Sequence, residues 1–231
     1  MRQIFLDTET TGLSHENGDR VIEIGCVEMF NRRLTGNNLH FYINPERDSH
    51  EDAIRIHGIT NEFLIGKPRF AEIAEQFCQY IAGAELVIHN AAFDVGFINH
   101  EFSMLHPQLP PVGDYCAILD TLLLAREMHP GQKNNLDALC RRYDINNSHR
   151  TLHGALLDAE ILADVYLLMT GGQVSLNLAN EQDGTNGEGG PVAIKRSGRL
   201  KVLQATAEEL AAHENRLDLV PNKGGSCLWR N

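Results

Sequence analysis

Six residues near the start constrain this chain most. An apolar run, Ile4-Phe5-Leu6, leads into Asp7-Thr8-Glu9-Thr10-Thr11 and breaks at Gly12. An apolar run stopped by glycine predicts a strand. Strand side chains alternate, so Asp7 and Glu9 share one face while Thr8 and Thr10 take the other. Two carboxylates held this close repel each other unless a cation lies between them. A divalent metal site removes the conflict. An edge strand with two solvated acids removes it too, and the motif alone does not choose.

The chain of 231 residues, 42% apolar, can hold one cored domain plus an appendage. Its net charge of −11 opposes nonspecific attraction to a polyanion, so a nucleic-acid substrate needs metal ions or partner subunits to offset repulsion. The five cysteines (Cys26, Cys78, Cys116, Cys140, Cys227) are widely spaced and form no C-x-x-C pair, which indicates neither zinc nor a disulfide framework. Reduced thiols point to the cytoplasm. Met1-Arg2-Gln3 opens no signal-like stretch, and no run approaches the roughly 18 apolar residues of a membrane span. A soluble protein is expected.

Beyond a polar loop, Val21 to Phe30 alternates Ile22, Ile24 and Cys26 with Glu23 and Gly25, and Leu39 to Ile43 follows a turn over residues 31–38. Three strands thus open as an antiparallel meander. Residues 52–57 read as short helical turns, and Phe70, Ile73, Ala74, Phe77, Cys78 and Ile81 fall on one helical stripe. Leu86-Val87-Ile88 is a fourth strand, a helix carrying Phe97, Ile98 and Phe102 follows, and Ala117-Ile118-Leu119 is a fifth. Asp120 is placed to cap the next helix. Helices over 136–143 and from about Leu152 to Met169 complete the domain, stopped by Gly171-Gly172. A meander followed by alternating strands and helices predicts an α/β/α three-layer fold with a mixed five-stranded sheet. In such sheets the site lies beyond the strand ends, which brings Asp7, Glu9 and Asp94 within reach of one another.

Residues 1–172 form the expected domain. Residues 180–190 (NEQDGTNGEGG) hold no aliphatic or aromatic side chain and predict a flexible linker within 173–190. Residues 191–231 carry a capping box, Thr206-Ala207-Glu208-Glu209, ahead of a short helix, and the only tryptophan, Trp229. A segment with scattered apolar points and no core folds best on a partner.

The last helix of the domain supplies the second strong signal. At 100° per residue Asp158 falls inside the apolar stripe of Ala155, Leu162, Val165 and Met169. A buried carboxylate must meet a cation, either a metal held with Asp7 and Glu9 or a core arginine. His153 would lie roughly 140° from Asp158 on a regular helix. It reaches the same site only if it precedes the helix or sits in its first turn.

Asp7-Thr8-Glu9-Thr10-Thr11-Gly12, His89-Asn90-Ala91-Ala92-Phe93-Asp94 and His153-Gly154-Ala155-Leu156-Leu157-Asp158 resemble, in order and context, the three motifs of the DEDDh exonuclease family, across roughly residues 2–170. The related class with tyrosine places it four residues before the last aspartate, where this chain has Gly154. Residues 31–38 and 224–229 resemble, more narrowly, the proofreading branch of the family that serves a replicative DNA polymerase.

The resemblance implies an RNase H-like fold and 3′→5′ hydrolysis of a single-stranded primer end, removing misincorporated nucleotides as nucleoside 5′-monophosphates. It implies two Mg²⁺ or Mn²⁺ ions, about 3.5–4 Å apart in such sites. Asp7, Glu9 and Asp158 would be direct ligands, Asp94 would hold the second ion through water, and His153 would be the general base. Asp7, Glu9, Asp158 and His57 would also contact substrate, and Asp52 matches such a position loosely, a solvated acid being the simpler reading. Asn90 and Phe93 would shape the pocket. Gln173, Leu176 and Leu178 resemble a sliding-clamp-binding peptide, against the plain alternative of a frayed helix end. The tail would bind the polymerase catalytic (alpha) subunit, and a small third subunit (theta) is implied by resemblance only. The implied location is the bacterial cytoplasm, at the nucleoid during replication. A DEDDh exoribonuclease and a catalytically silent clamp-to-polymerase tether remain the alternatives.

Overall fold

The run that ends in Asp7 and Glu9 lies in the interior of a sheet. The computed structural model describes residues 1–147, 152–171 and 205–224. It divides the chain into two units, Met1–Asn177 and Leu178–Asn231. In the first, β1 (Arg2–Thr10), β2 (Val21–Phe30), β3 (Arg33–Leu34) and β4 (Leu39–Tyr42) are antiparallel neighbours, while β5 (Glu85–Ile88) and β6 (Ala117–Asp120) extend the sheet in parallel. The order is β3-β2-β1-β5-β6, with β4 also on β2.

Six strands stand where five were expected. Asn31 and Arg32 take positive φ values of 49° and 64°, and this two-residue reversal returns the chain so tightly that Arg33 and Leu34 pair with Phe30 and Met29. Successive positive φ values suit the twist of a tight hairpin. The sequence reading missed it because Asn-Arg lacks the glycine that usually marks such a turn.

The helices of the first unit are α1 (Glu51–His57), α2 (Asn61–Leu64), α3 (Phe70–Ile81), α4 (Ala91–Met104), α5 (Thr121–Met128), α6 (Leu136–Arg142) and α7 (Ala155–Gly171). The six buried residues of α3 are the predicted stripe. They pack with Phe97, Ile98 and Phe102 of α4 against Ile4, Leu6, Ile24 and Ile88. The opposite face, with Phe5, Val27, Met29 and Val87, meets Ala159, Leu162, Ala163 and Tyr166 of α7. Further from the sheet, α5 and α6 pack against α7 through Ala125, Leu139, Cys140, Ile161 and Val165. This is the three-layer α/β/α arrangement. β2 is buried on both faces over Val21–Met29, so the Glu23–Gly25 side, which alternation alone would leave to solvent, is covered.

Asp120 performs more than the predicted cap. Its carboxylate accepts from Leu122 N (2.8 Å) and Leu123 N (3.4 Å) at the start of α5, and from Asn90 N (3.2 Å) and Ala91 N (3.1 Å) at the start of α4. One side chain therefore closes two helix N-termini and ties the ends of β5 and β6 together.

In the second unit the capping box forms as read: Glu209 N donates to Thr206 Oγ1 (3.3 Å) and Thr206 N donates to the Glu209 carboxylate (2.8 Å). The helix it starts, α8 (Ala207–Gly224), has 18 residues, longer than the short helix expected. The readings of Gln173, Leu176 and Leu178, of the linker at 173–190, and of Cys227 and Trp229 lie outside the described residues. Among the described residues no helix is long and apolar enough to cross a membrane.

Replacing Asp120 by Ala removes the acceptor of four backbone N–H groups. Stability should fall by about 2 kcal/mol, read as a lower denaturant midpoint, with Asp120→Asn losing less because its amide oxygen still accepts.

Candidate active site

Asp7 and Glu9 stand on the face of β1 that α7 covers, opposite Gly25 and Glu23 of β2. The helix begins at Ala155 rather than near Leu152. Gly154 offers no side chain to cap it, and the Ala155 N–H instead donates to Glu23 Oε2 at 3.1 Å. His153 therefore precedes the helix, with its own N–H on Ile56 O at 3.1 Å. The condition set by helical geometry is met: His153 Nδ1 lies 3.3 Å from Asp158 Oδ2, although the two residues could not share a face on one helix.

Asp158, in the first turn of α7, is buried at 3% exposure, as its place in the apolar stripe required. One ligand atom each from Glu9, His153 and Asp158 lie within 4.8 Å of one another. Asp7 and Asp94 line the same cleft of about 200 Å³, together with Asn90, Phe93 and Leu136. Asp94 arrives from α4, on the opposite side of the sheet, where Thr8 Oγ1 donates to its Oδ1 at 2.6 Å. The sequence reading passed over Thr8 because it turns away from Asp7 and Glu9; that orientation is what lets it hold Asp94. Burial pushes the Asp94 carboxyl up to about 7, against the opposing Thr8 hydrogen bond and with the charge of Asp120 adding to the rise.

A second cavity of about 480 Å³ adjoins the first and shares Thr8, Glu9 and Phe93 with it. His57 and Asp52 line it with Leu13, Ile56 and His50. His57 is buried; burial pulls its pKa down, and its Nδ1 accepts from Ile59 N at 3.0 Å. The neutral ring thus carries its proton on Nε2, which has no hydrogen-bond partner among the described residues. A buried N–H donor of this kind suits a polar ligand. Asp52 is exposed and paired with Arg55, in keeping with a solvated acid at the rim. Phe93 packs on Phe97 at 4.8 Å between centroids and faces both cavities, so it is both core and wall.

Asp19, unremarked in the sequence, braces this wall. It is buried, accepts from Thr11 Oγ1 (3.2 Å) and Ser14 N (3.1 Å), and pairs with Arg47 (3.2 Å) and His50 (3.1 Å). Its place in a polar loop gave no sign of that burial.

Four carboxylates converging on a small cleft, with the imidazoles of His89 and His153 at its walls, form a mainly oxygen donor set, which suits divalent cations of the Mg²⁺ and Mn²⁺ kind. Desolvated acids at this spacing repel, and a cation among them removes the cost.

Residues 4–166 match the exonuclease family. The chain is 57% identical to "DNA polymerase III subunit epsilon" of Escherichia coli over 99% of its own length and 97% of the relative's. It is 52% identical to the protein of that name from Haemophilus influenzae, over 99% and 94%. Among solved structures it resembles exonuclease X in complex with 5′ overhanging duplex DNA, with a TM-score of 0.56, 26% identity, and coverage of 73% of this chain and 91% of that one. The zinc-bound E. coli exonuclease I complex with single-stranded DNA shares the fold, with a TM-score of 0.62 at 17% identity, over 74% and 41%.

Asp94 sets a pH dependence in the metal-free protein. Its folded pKa lies above the unfolded value, so its contribution to stability is full below about 3.8 and is lost as pH rises to about 7. Asp94→Asn, which does not titrate and keeps an acceptor for Thr8, should match the unaltered chain near pH 4. It should exceed it by up to about 4 kcal/mol above pH 7. Urea unfolding in a chelator across this range measures the difference, and added Mn²⁺ should shrink it.

Proposed function

The chain belongs to the exonuclease family, among the epsilon subunits of DNA polymerase III, and we propose that it is the proofreading 3′→5′ exonuclease of that polymerase. It removes misincorporated nucleotides from the primer 3′ end as nucleoside 5′-monophosphates. The observation that carries the reading is the convergence of Glu9, His153 and Asp158 within 4.8 Å in a cleft also lined by Asp7 and Asp94.

The residues divide the work. Asp7, Glu9 and Asp158 would hold divalent cations, and Asp94, which accepts from Thr8, would help hold a second ion. When bound, two such cations, Mg²⁺ or Mn²⁺, would supply the charge that lowers the pKa of an attacking water and offsets charge on a leaving 3′ oxygen. His153, half-exposed before α7, takes the proton from that water on its imidazole. The adjoining cavity receives the terminal nucleotide, where buried His57 offers its Nε2 proton and Phe93 a wall. Cations also offset the repulsion between a phosphate and a chain of net charge −11.

Attachment belongs to the rest of the chain. Gln173, Leu176 and Leu178 bind the sliding clamp, and residues 191–231 bind the polymerase alpha subunit. A small third subunit, theta, contacts the nuclease domain. The assembly works in the bacterial cytoplasm, at the nucleoid during replication.

Asp7→Asn and Asp158→Asn should each abolish metal-dependent digestion of a mismatched primer while leaving the melting temperature and circular dichroism near those of the unaltered protein. His153→Ala should cut the rate by roughly 10²–10⁴-fold with metal binding largely intact. Near-original rates in either Asn variant would refute the assignment. Removal of residues 191–231 should spare digestion of free single strands but end co-purification with alpha. Gln173→Ala with Leu176→Ala should weaken clamp binding alone.

A further inference from the structure

We propose that Glu23, with Gly25, is a positioning element that sets His153 and Asp158 in register with Asp7 and Glu9. The inference rests on the exonuclease reading above and adds a residue that none of the three motifs contains.

β2 places Gly25 opposite Asp7 and Glu23 opposite Glu9, on the same face of the sheet. Two of these four positions feed the cleft; the other two carry the start of α7. At Gly25 any side chain is excluded, since a Cβ would fall 2.1 Å from Leu156 N and 2.3 Å from Ala155 C. The helix backbone rests directly on the strand. Two residues along, Glu23 Oε2 accepts the Ala155 N–H at 3.1 Å. Glu23 is only 2% exposed and its other oxygen, Oε1, lies 2.7 Å from His40 Nε2 on β4. Both oxygens are engaged, so the carboxylate is fixed from two sides.

Two like charges directly opposite on a sheet destabilise it. A helix of this composition would cap itself with a local serine or aspartate at far lower cost in buried charge. A buried glutamate facing Glu9 needs a reason, and the geometry provides one. A local cap would end the helix without fixing where it sits. A cap from β2 fixes the distance between the strand that carries Asp7 and Glu9 and the turn that carries Asp158. The His153 N–H on Ile56 O holds the other side of the same turn. A misplacement of about 1 Å at such a site can cost 10²-fold in rate.

The test compares Glu23→Met, which keeps the volume and removes the acceptor, with Glu23→Gln, which keeps an oxygen for Ala155. Glu23→Met leaves the Ala155 N–H and the His40 ring without their acceptor, a cost of about 1–3 kcal/mol that a domain of ordinary stability, about 5–15 kcal/mol, withstands, so both should fold. In the full chain Glu23→Met should lose about 10²-fold in kcat on a single-stranded oligomer, with KM within about threefold. Without DNA, Mn²⁺ affinity read by electron paramagnetic resonance should fall about tenfold. Glu23→Gln should restore most of both. Three results would overturn the proposal: Glu23→Met keeping its kcat and Mn²⁺ affinity within about threefold, Glu23→Gln falling as far as Glu23→Met, or an activity loss that simply tracks a large fall in melting temperature. If the unaltered chain failed to digest DNA with metal present, the exonuclease reading would fall instead. The DNA-free Mn²⁺ titration of the two variants would still decide the role of Glu23.

Discussion

Packing acids around the end of one sheet is the constraint on which the rest of this structure depends. Asp7, Glu9, Glu23, Asp94, Asp120 and Asp158 all come from strand ends or the first turns of helices around β1, β2, β5 and β6. Glu23, Asp94 and Asp158 are buried and the other three partly so, and a buried carboxylate without partners is costly. The fold answers acid by acid. Asp120 takes four backbone N–H groups, Glu23 takes one N–H and a histidine, and Asp94 takes a threonine hydroxyl. Asp158 lies in a first helical turn, where the helix dipole favours a negative charge.

What differs between these acids is how completely protein donors satisfy them. Asp120 and Glu23 are saturated and therefore structural. Asp94 accepts from the Thr8 hydroxyl and from nearby backbone N–H groups, yet burial still pushes its carboxyl up to about 7. Perturbed acids of this kind concentrate where chemistry is done. The same distinction separates the histidines. His40 is engaged with Glu23, whereas His57 lines the larger cavity with a buried ring and His153 stands half-exposed beside Asp158.

The two cavities meet along β1. Glu9 and Thr8 belong to both, so the larger space opens directly beside the acids of the smaller one. Phe93 forms a common wall, packed on Phe97. Asp19, with Arg47 and His50, keeps the far wall in place through contacts that never touch the cleft.

The sequence by itself determined the three-layer class, the α3 stripe, the position of Asp158 in an apolar stripe, and the shared face of Asp7 and Glu9. Each of these follows from periodicity, which is a property of neighbours along the chain. Only the tertiary structure decided where α7 begins, that Glu23 is buried rather than solvated, that Thr8 holds Asp94 across the sheet, and that Asp120 serves two helices. Each of these depends on a partner between 29 and 132 residues away, and no local pattern encodes which strand will offer an acceptor to which helix. The extra strand β3 was missed for a smaller reason of the same kind. Its turn uses Asn31 and Arg32 at positive φ, and only the pairing of Arg33 and Leu34 with β2 makes that conformation worth adopting.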